Sequence, residues 1–131
     1  MPRNYVLDTH ACIFMFSAPR KLGMRARAAI RQVESGRALA WLPAVVVAEV
    51  LMLRELGRTN ISLPELQTAL DRSEALRFSP LDLPQLDEFA ALSVIRDPFD
   101  RLIVAAARRL GACLLSRDSA LAESALVEVQ W

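Results

Sequence analysis

The sequence predicts one α/β domain with a mostly parallel sheet flanked by helices, and three observations lead to this prediction. Short strand-like runs alternate with helical patterns of about ten residues, an alternation typical of parallel sheets. Gly36, Gly57 and Gly111 each follow a helical pattern, where a left-handed residue often ends a helix. The length of 131 residues suits a single domain that spans residues 1–131.

Prolines mark where several of the helices begin. Pro43, Pro64, Pro84 and Pro98 each stand at a possible first turn, a position that tolerates a residue without an N–H group. Between these marks, apolar residues recur at helical or strand spacing. The elements are predicted, in order, as strand 4–8, a helix to about 16, helix 24–35, strand 38–42, helix 43–56, helix 64–75, strand 76–81, helix 84–94, helix 98–110, strand 112–116, a short helix after 118 and strand 125–130.

Composition favours a densely packed domain over disorder, because 53% of the residues are hydrophobic and 24% are charged. The net charge of +1 does not by itself indicate a nucleic-acid partner. The longest run without charged or polar side chains, residues 38–48, is shorter than the ~18 residues that a membrane-spanning helix needs. We therefore expect a cytoplasmic protein with no membrane partner, whose Cys12 and Cys113 are free core thiols.

Glu49 interrupts the apolar run VVVAEVLML (45–53), and no basic residue lies three or four positions away on the predicted helix. An ionised carboxylate on an apolar face is unfavourable unless it is paired, protonated or bound to a metal. A distant arginine or a position at the edge of a groove could also compensate its charge. Perturbed carboxylates cluster at functional sites, so Glu49 is a candidate site residue.

Four aspartates lie at or near the predicted starts of helices, and capping would explain each of them separately. They are Asp8, Asp97, Asp100 and Asp118. In DPFDRLIVAAA (97–107) one cap is enough, so capping explains Asp97 fully and Asp100 only partly. Asp8 and Asp118 come just past the ends of predicted strands, where ligands of parallel sheets gather, so chemistry is expected there. The recurrence of aspartates at helix starts, together with Glu49, indicates an acidic site.

Converging carboxylates repel each other, by about 4 kcal/mol for two charges ~4 Å apart at an intermediate dielectric. Such a cluster needs a divalent cation, and oxygen ligands favour Mg²⁺ or Mn²⁺ over zinc. An acidic metal site is typical of phosphoryl chemistry, in which the ion activates water and stabilises the leaving oxygen. His10, the only histidine, could contact substrate or transfer a proton. Three arginines beside the acids are candidates for contacts with RNA phosphates, namely Arg96, Arg101 and Arg117.

Four segments resemble the successive motifs of PIN-domain ribonucleases, above all the VapC-type toxins of bacterial toxin–antitoxin pairs. They are YVLDTHA (5–11), VVVAEV (45–50), DPFDRLIVAAA (97–107) and LLSRD (114–118), in order along nearly the whole chain. The resemblance implies a PIN-like three-layer domain, with a central mostly parallel sheet, that hydrolyses RNA with Mg²⁺ or Mn²⁺. It further implies a homodimer and a cognate antitoxin that blocks the site.

The resemblance also implies roles for individual residues. Four carboxylates would be catalytic and would bind the metal, namely Asp8, Glu49, Asp100 and Asp118. Asp97 would support them, and Thr9 or Ser116 would help to order water. Many such sequences carry a histidine shortly before the DPFD segment, where this chain has SVIR (93–96). This departure leaves the four acids unchanged. It affects the substrate contacts that the resemblance implies next to the DPFD segment.

Three other functions are compatible with parts of the pattern. An aspartate-based phosphatase also has an aspartate after an early strand, but His10 stands where its second aspartate belongs. A phosphoaccepting receiver domain needs a lysine near the far end, whereas the only lysine here is Lys21. A non-catalytic protein-interaction module would give the acids structural roles alone. Glu49 discriminates among these functions best, because only a metal-dependent nuclease assigns it a functional role.

Overall fold

A computed structural model describes residues 3–131 and contains a five-stranded sheet in the order β3-β2-β1-β4-β5. Every pair of neighbouring strands runs parallel, with Tyr5 opposite Ala40 on one side of β1 and opposite Cys113 on the other. The predicted α/β class with a parallel sheet is therefore confirmed. The strands are β1 (Arg3–Leu7), β2 (Ala38–Pro43), β3 (Leu76–Ser79), β4 (Cys113–Leu115) and β5 (Val129–Gln130).

Helices connect the strands. They are α1 (Thr9–Ser17), α2 (Met24–Glu34), α3 (Ala44–Glu55), α4 (Leu63–Arg72), α5 (Leu83–Ala90), α6 (Pro98–Leu110) and α7 (Ser119–Glu123), with a 3₁₀ turn at Pro19–Lys21. Gly36, Gly57 and Gly111 have φ angles of 77°, 73° and 60°, which confirms the predicted left-handed helix ends. Within residues 3–131, no helix is both long enough and apolar enough to cross a membrane.

The order of the strands places a crevice beside β1. The chain proceeds from β1 outward through β2 to β3, then returns to the other side of β1 as β4 and continues to β5. The connections after β1 and after β4 therefore leave the sheet in opposite directions. Ligands of open parallel sheets bind at such a switch point, outside the carboxyl ends of the strands.

The two central strands form the middle of the core. Val6, Leu7, Leu114 and Leu115 have no exposed surface, because the sheet is covered on both faces by helices. Cys12 and Cys113 are buried free thiols, and burial raises the pKa of Cys12 to about 12. This rigid centre carries the residues that follow β1 and β4.

Several elements are shorter than the sequence pattern predicts. Helix α4 ends at Arg72 rather than near residue 75, because the Ser73 hydroxyl accepts hydrogen bonds from the N–H groups of Ala75 and Leu76 and forms a turn. Helix α5 ends at Ala90, and turns replace the predicted last helical residues. Strand β5 covers only residues 129–130 because Ala125, with φ of 57°, is left-handed and not extended.

Candidate active site

A cleft of about 570 Å³ opens at the carboxyl edge of the sheet, next to the switch point between β1 and β4. Its walls come from the ends of these two strands, the starts of α1, α6 and α7, and the middle of α3. The four carboxylates predicted as catalytic all line it. The lining residues are Asp8, Thr9, His10, Glu49, Leu53, Asp100, Ile103, Ser116, Arg117, Asp118, Ser119 and Leu121.

Asp8 is the first residue after β1 and is half-buried. Its Oδ1 accepts a hydrogen bond from the Ala11 N–H at 2.7 Å, so it caps α1. Its own N–H donates to the Leu115 carbonyl at 3.2 Å, which ties the residue to β4. Burial raises the pKa of Asp8, while the Ala11 N–H and the Ser116 hydroxyl favour the ionised form. The strand end thus holds one carboxylate at a fixed place in the cleft.

Glu49 points into the cleft from α3, a helix that is otherwise mostly apolar. The buried Thr9 hydroxyl donates a hydrogen bond to Glu49 Oε1 at 2.8 Å. Burial raises the pKa of Glu49, and the charges of Asp97 and Asp8 raise it further, against the opposing effect of Thr9. Glu49 therefore has a neutral hydrogen-bond partner and acidic neighbours, in keeping with the lack of a basic partner along its helix.

Asp97 and Asp100 occupy different positions at the start of α6. Asp97 Oδ1 accepts a hydrogen bond from the Asp100 N–H at 2.9 Å, so Asp97 is the cap of the helix. It is exposed and is not among the residues that line the cleft. Asp100 lies in the first turn and lines the cleft. Asp97 therefore has the structural position at the start of the helix, and Asp100 has the position that faces the cleft.

Asp100 has the most strongly perturbed carboxyl group of the cleft. Burial and the surrounding carboxylates raise its pKa to about 6. The contributing charges are Asp97, Asp118, Glu49 and Asp8. Charge repulsion of this kind requires the acids to lie close together, although they come from four separate segments of the chain.

Asp118 and Ser116 follow β4. Asp118 Oδ1 accepts hydrogen bonds from the N–H groups of Ala120 and Leu121 at 2.9 and 3.2 Å and so caps α7. The Ser116 hydroxyl accepts one from the Asp118 N–H at 3.1 Å. The Ser116 N–H donates to the Gln130 carbonyl, also at 3.1 Å, which links this turn to β5. The buried Ser116 thus shapes the turn that carries Asp118.

The side chains of the cleft fit a hard divalent cation in chemistry. Their donors are carboxylate and hydroxyl oxygens, with the imidazole of His10 on the wall. Within residues 3–131, no three acidic, histidine or cysteine side chains are already arranged to hold a metal ion. A cation would remove the mutual repulsion of the carboxylates and allow them to approach one another.

The structure separates the three candidate arginines. Arg117 lines the cleft, with its guanidinium carbon 5.4 Å from the centre of the Phe14 ring. Arg101 is directed elsewhere, since its Nε donates to the Phe89 carbonyl at 2.9 Å and its guanidinium lies 3.9 Å from the Phe89 ring centre. Arg96 is exposed and lies outside the residues that line the cleft.

Four cleft residues are absent from the sequence-based set of candidates. Leu53, Ile103 and Leu121 lie three or four positions after Glu49, Asp100 and Asp118, so helical spacing from each acid could have identified them. Ser119 follows Asp118 directly and carries no such signal. The three apolar side chains reduce the access of water to the acids, in agreement with the raised pKa values of Glu49 and Asp100.

Fold and cleft together define a class of protein, an α/β domain with an acidic cleft at the switch point of a parallel sheet. The sequence profile of the PIN domain matches residues 5–125, so the chain belongs to the PIN domain family. None of the curated proteins matches the chain by sequence.

Solved structures resemble the chain over nearly its whole length. VapBC2 from Rickettsia felis, solved with a DNA fragment from the promoter, has a TM-score of 0.70 at 13% identity over 98% of both chains. FitAcB from Neisseria gonorrhoeae has a TM-score of 0.64 at 20% identity over 95% of both chains. VapC20 from Mycobacterium tuberculosis, described as a sarcin–ricin loop cleaving toxin, has 0.59 at 17% over 97% of this chain and 99% of that one. At these identities the likeness establishes the fold.

Proposed function

We propose that this protein is a metal-dependent endoribonuclease and acts as the toxin of a toxin–antitoxin pair. The convergence of four carboxylates from separate segments in one cleft carries the proposal. Burial and their mutual repulsion together raise the pKa of Asp100 to about 6, and this repulsion has no structural benefit for the domain. A site that holds Mg²⁺ or Mn²⁺ explains why such an arrangement is present.

The ligands of the ion would be Asp8, Glu49, Asp100 and Asp118, and the ion when bound would activate water and stabilise the leaving oxygen of a phosphodiester. The other polar residues have supporting tasks. Thr9 orients Glu49 through its hydroxyl. Ser116 shapes the turn before Asp118 and opposes the rise in the pKa of Asp8, and Asp97 fixes the start of α6.

Partners follow from the proposed role. VapBC2 and FitAcB are similar in fold over nearly the whole chain, and a solved toxin–antitoxin complex from Klebsiella pneumoniae has a TM-score of 0.57 at 18% identity. We infer a cognate antitoxin that covers the acidic cleft and a second copy of this chain in a homodimer. Leu83 and Val94, whose exposed fractions are 76% and 73%, are apolar surface that a protein partner would cover. A toxin of this kind would act on RNA in the cytoplasm as a single domain of residues 1–131.

Calorimetric titration with Mn²⁺ tests the metal site directly. Wild type should bind the ion, whereas Glu49→Gln and Asp100→Asn should not, because each substitution removes a charged ligand and keeps the shape of the side chain. Asp71→Asn, on the exposed surface of α4, is the matched control and should bind like wild type. If folded wild type binds no Mn²⁺ even with RNA present, a non-catalytic binding module becomes the better account.

A further inference from the structure

Three of the four cleft carboxylates are held by a hydrogen bond of their own, and Asp100 is the exception. Asp8 and Asp118 accept bonds from backbone N–H groups of the next helices, and Glu49 accepts one from a buried hydroxyl. In the described part of the chain, the Asp100 side chain accepts none, and only its N–H is bonded, to Asp97. The place of the Asp100 carboxylate therefore depends on where helix α6 itself lies.

A buried glutamine connects the first half of α6 to α5. Gln85 of α5 is only 2% exposed, and its Nε2 donates a hydrogen bond to the Leu102 carbonyl at 2.9 Å. Leu102 comes two residues after Asp100 on α6. An apolar side chain of similar size would fill this space without the cost of burying an amide. A directional bond at this place indicates that the position of α6 along α5 matters.

Arg101 makes a second contact between the same parts of the two helices. Its Nε donates to the Phe89 carbonyl at 2.9 Å, and its guanidinium carbon lies 3.9 Å from the Phe89 ring centre. Phe89 is in the last turn of α5, where the helix dipole attracts a cation, whereas the start of α6 disfavours one. The guanidinium therefore gains from the contact with α5.

The two contacts together fix how α6 lies on α5. Gln85 and Phe89 are four positions apart and share one face of α5, while their partners directly follow Asp100. Apolar packing has no direction and permits small shifts between helices, whereas hydrogen bonds at two points do not. A shift of α6 by one residue would displace Asp100 by about 1.5 Å, most of the ~2.1 Å length of a Mg²⁺–oxygen bond.

A third polar contact joins α5 and α6 farther from the cleft. Arg108, in the last turn of α6, donates from Nε to Glu88 Oε2 at 2.8 Å and from Nη1 to the Leu126 carbonyl at 2.9 Å. It lies more than two helical turns after Asp100. This contact stabilises the same pair of helices without fixing the turn that carries Asp100, so it provides a control.

We propose that Gln85 and Arg101 are positioning residues, which fix the start of α6 and thereby hold Asp100 among the other three carboxylates. The proposal rests on the proposed metal-dependent function and adds two residues to its machinery. Neither side chain lines the cleft, so both act through the helix that carries Asp100.

Charge and position lead to opposite expectations for Arg101. A cation next to Asp100 in sequence repels Mn²⁺, so removal of Arg101 would strengthen metal binding if its effect were electrostatic alone. Removal should weaken binding if Arg101 positions Asp100. Gln85 carries no charge and tests position by itself.

Calorimetric titration with Mn²⁺ compares Gln85→Met and Arg101→Met with wild type. Each should lower the affinity by about threefold to tenfold, near the lower end of the effects of outer hydrogen-bond partners on metal sites. Arg101→Lys keeps a donor and the charge, and should restore most of the affinity. The matched control is Arg108→Met, which makes the same change at the far end of α6 and should bind like wild type.

Amide hydrogen exchange without metal follows the start of α6 independently of the ion. The Arg101 N–H, which donates to the Asp97 carbonyl at 3.0 Å, should exchange several-fold faster in Gln85→Met and Arg101→Met. In Arg108→Met the faster exchange should be confined to the last turns of α6. Urea unfolding measures the stability of all three variants. A loss of Mn²⁺ affinity in the test variants alone, at similar stability, separates positioning from folding.

Two results would overturn the positioning role. Wild-type or stronger Mn²⁺ binding by a folded Gln85→Met or Arg101→Met would remove that residue from it. Exchange that is equally faster along the whole of α6 in all three variants would mean that these contacts only add stability. If wild type itself binds no Mn²⁺, the proposed function fails, and the exchange pattern alone decides whether the two residues fix the start of α6.

Discussion

The cleft combines two regions that hold their carboxylates in different ways. At the ends of β1 and β4, Asp8 and Asp118 accept hydrogen bonds from the backbone N–H groups of the helices that follow. Inside α3 and α6, Glu49 and Asp100 accept no backbone hydrogen bond from the described part of the chain, and Glu49 has only the Thr9 hydroxyl. The strand-end acids therefore contribute to folding through these bonds, whereas Glu49 and Asp100 accept none. Asp100 only lies in the first turn of α6, where a negative charge is favourable.

This difference identifies which acids are present for function alone. A capping aspartate stabilises its helix whether or not it also binds a ligand, so its presence does not distinguish the two roles. A half-buried carboxylate without such bonds is unfavourable for the isolated domain, as the raised pKa values of Glu49 and Asp100 indicate. The helical pair thus gives the stronger indication that a cation belongs in the cleft.

The largest expected effect is on cleavage. Glu49→Gln and Asp100→Asn should each lower the Mn²⁺-dependent rate of RNA cleavage by at least about 10²-fold, because loss of a direct ligand exceeds the effect of an outer hydrogen-bond partner. Gel analysis of cleaved RNA measures this rate, with Asp71→Asn as control. Wild-type rates in both folded variants would show that these acids have no catalytic role.

A smaller effect is expected when only the orientation of Glu49 is disturbed. Thr9→Val removes the hydroxyl that donates to Glu49 at 2.8 Å and should weaken Mn²⁺ binding by about tenfold. Thr9→Ser keeps the hydroxyl and should restore most of the affinity. Calorimetry compares the two variants, and equal affinities would mean that the hydrogen bond does not position Glu49.

The strand-end acids should differ from the helical acids in their effect on folding. Without metal, Asp118→Ala should lower the free energy of unfolding by about 1 kcal/mol, because α7 loses its cap, and Asp118→Asn should restore most of this loss. Glu49→Gln should cause no such loss. Urea unfolding measures all three variants, and equal destabilisation by Asp118→Asn and Asp118→Ala would contradict a capping role.

Most of the fold could be predicted because the signals are local. Prolines and glycines mark the helix ends, and the alternation of strands and helices indicates a parallel sheet. The short β5 could not be predicted, since Ala125 adopts a left-handed conformation that its residue type disfavours. The early end of α4 depends on the hydroxyl of Ser73, which competes locally with the helix.

Only those site residues could be predicted whose neighbours in sequence already mark them as unusual. Glu49 is one of them, because its neighbours on the helix are apolar and cannot form an ion pair with its carboxylate. The direction of Arg101 depends on Phe89 in another helix, and Arg117 lies against Phe14, more than a hundred residues away in sequence. Such contacts come from tertiary packing, which leaves no pattern in the local sequence.

The smallest expected effect concerns Asp100 and pH. The pKa of Asp100 is raised in the folded protein to about 6 from an ordinary 3.8, so the folded state binds a proton more tightly than the unfolded chain does. Stability from this group is complete below about pH 4 and is lost as pH rises through about 6. The loss should be below about 1 kcal/mol, because Asp100 is partly exposed and solvent screens its charge.

Asp100→Asn removes this loss, since the amide never ionises. In metal-free urea unfolding the variant should therefore be more stable than wild type at about pH 8, and the difference should vanish near pH 4. Added Mn²⁺ should reverse the order at about pH 8, because the ion stabilises only the protein that binds it. A variant that is no more stable at about pH 8 without metal would show that Asp100 is not strained by its acidic neighbours.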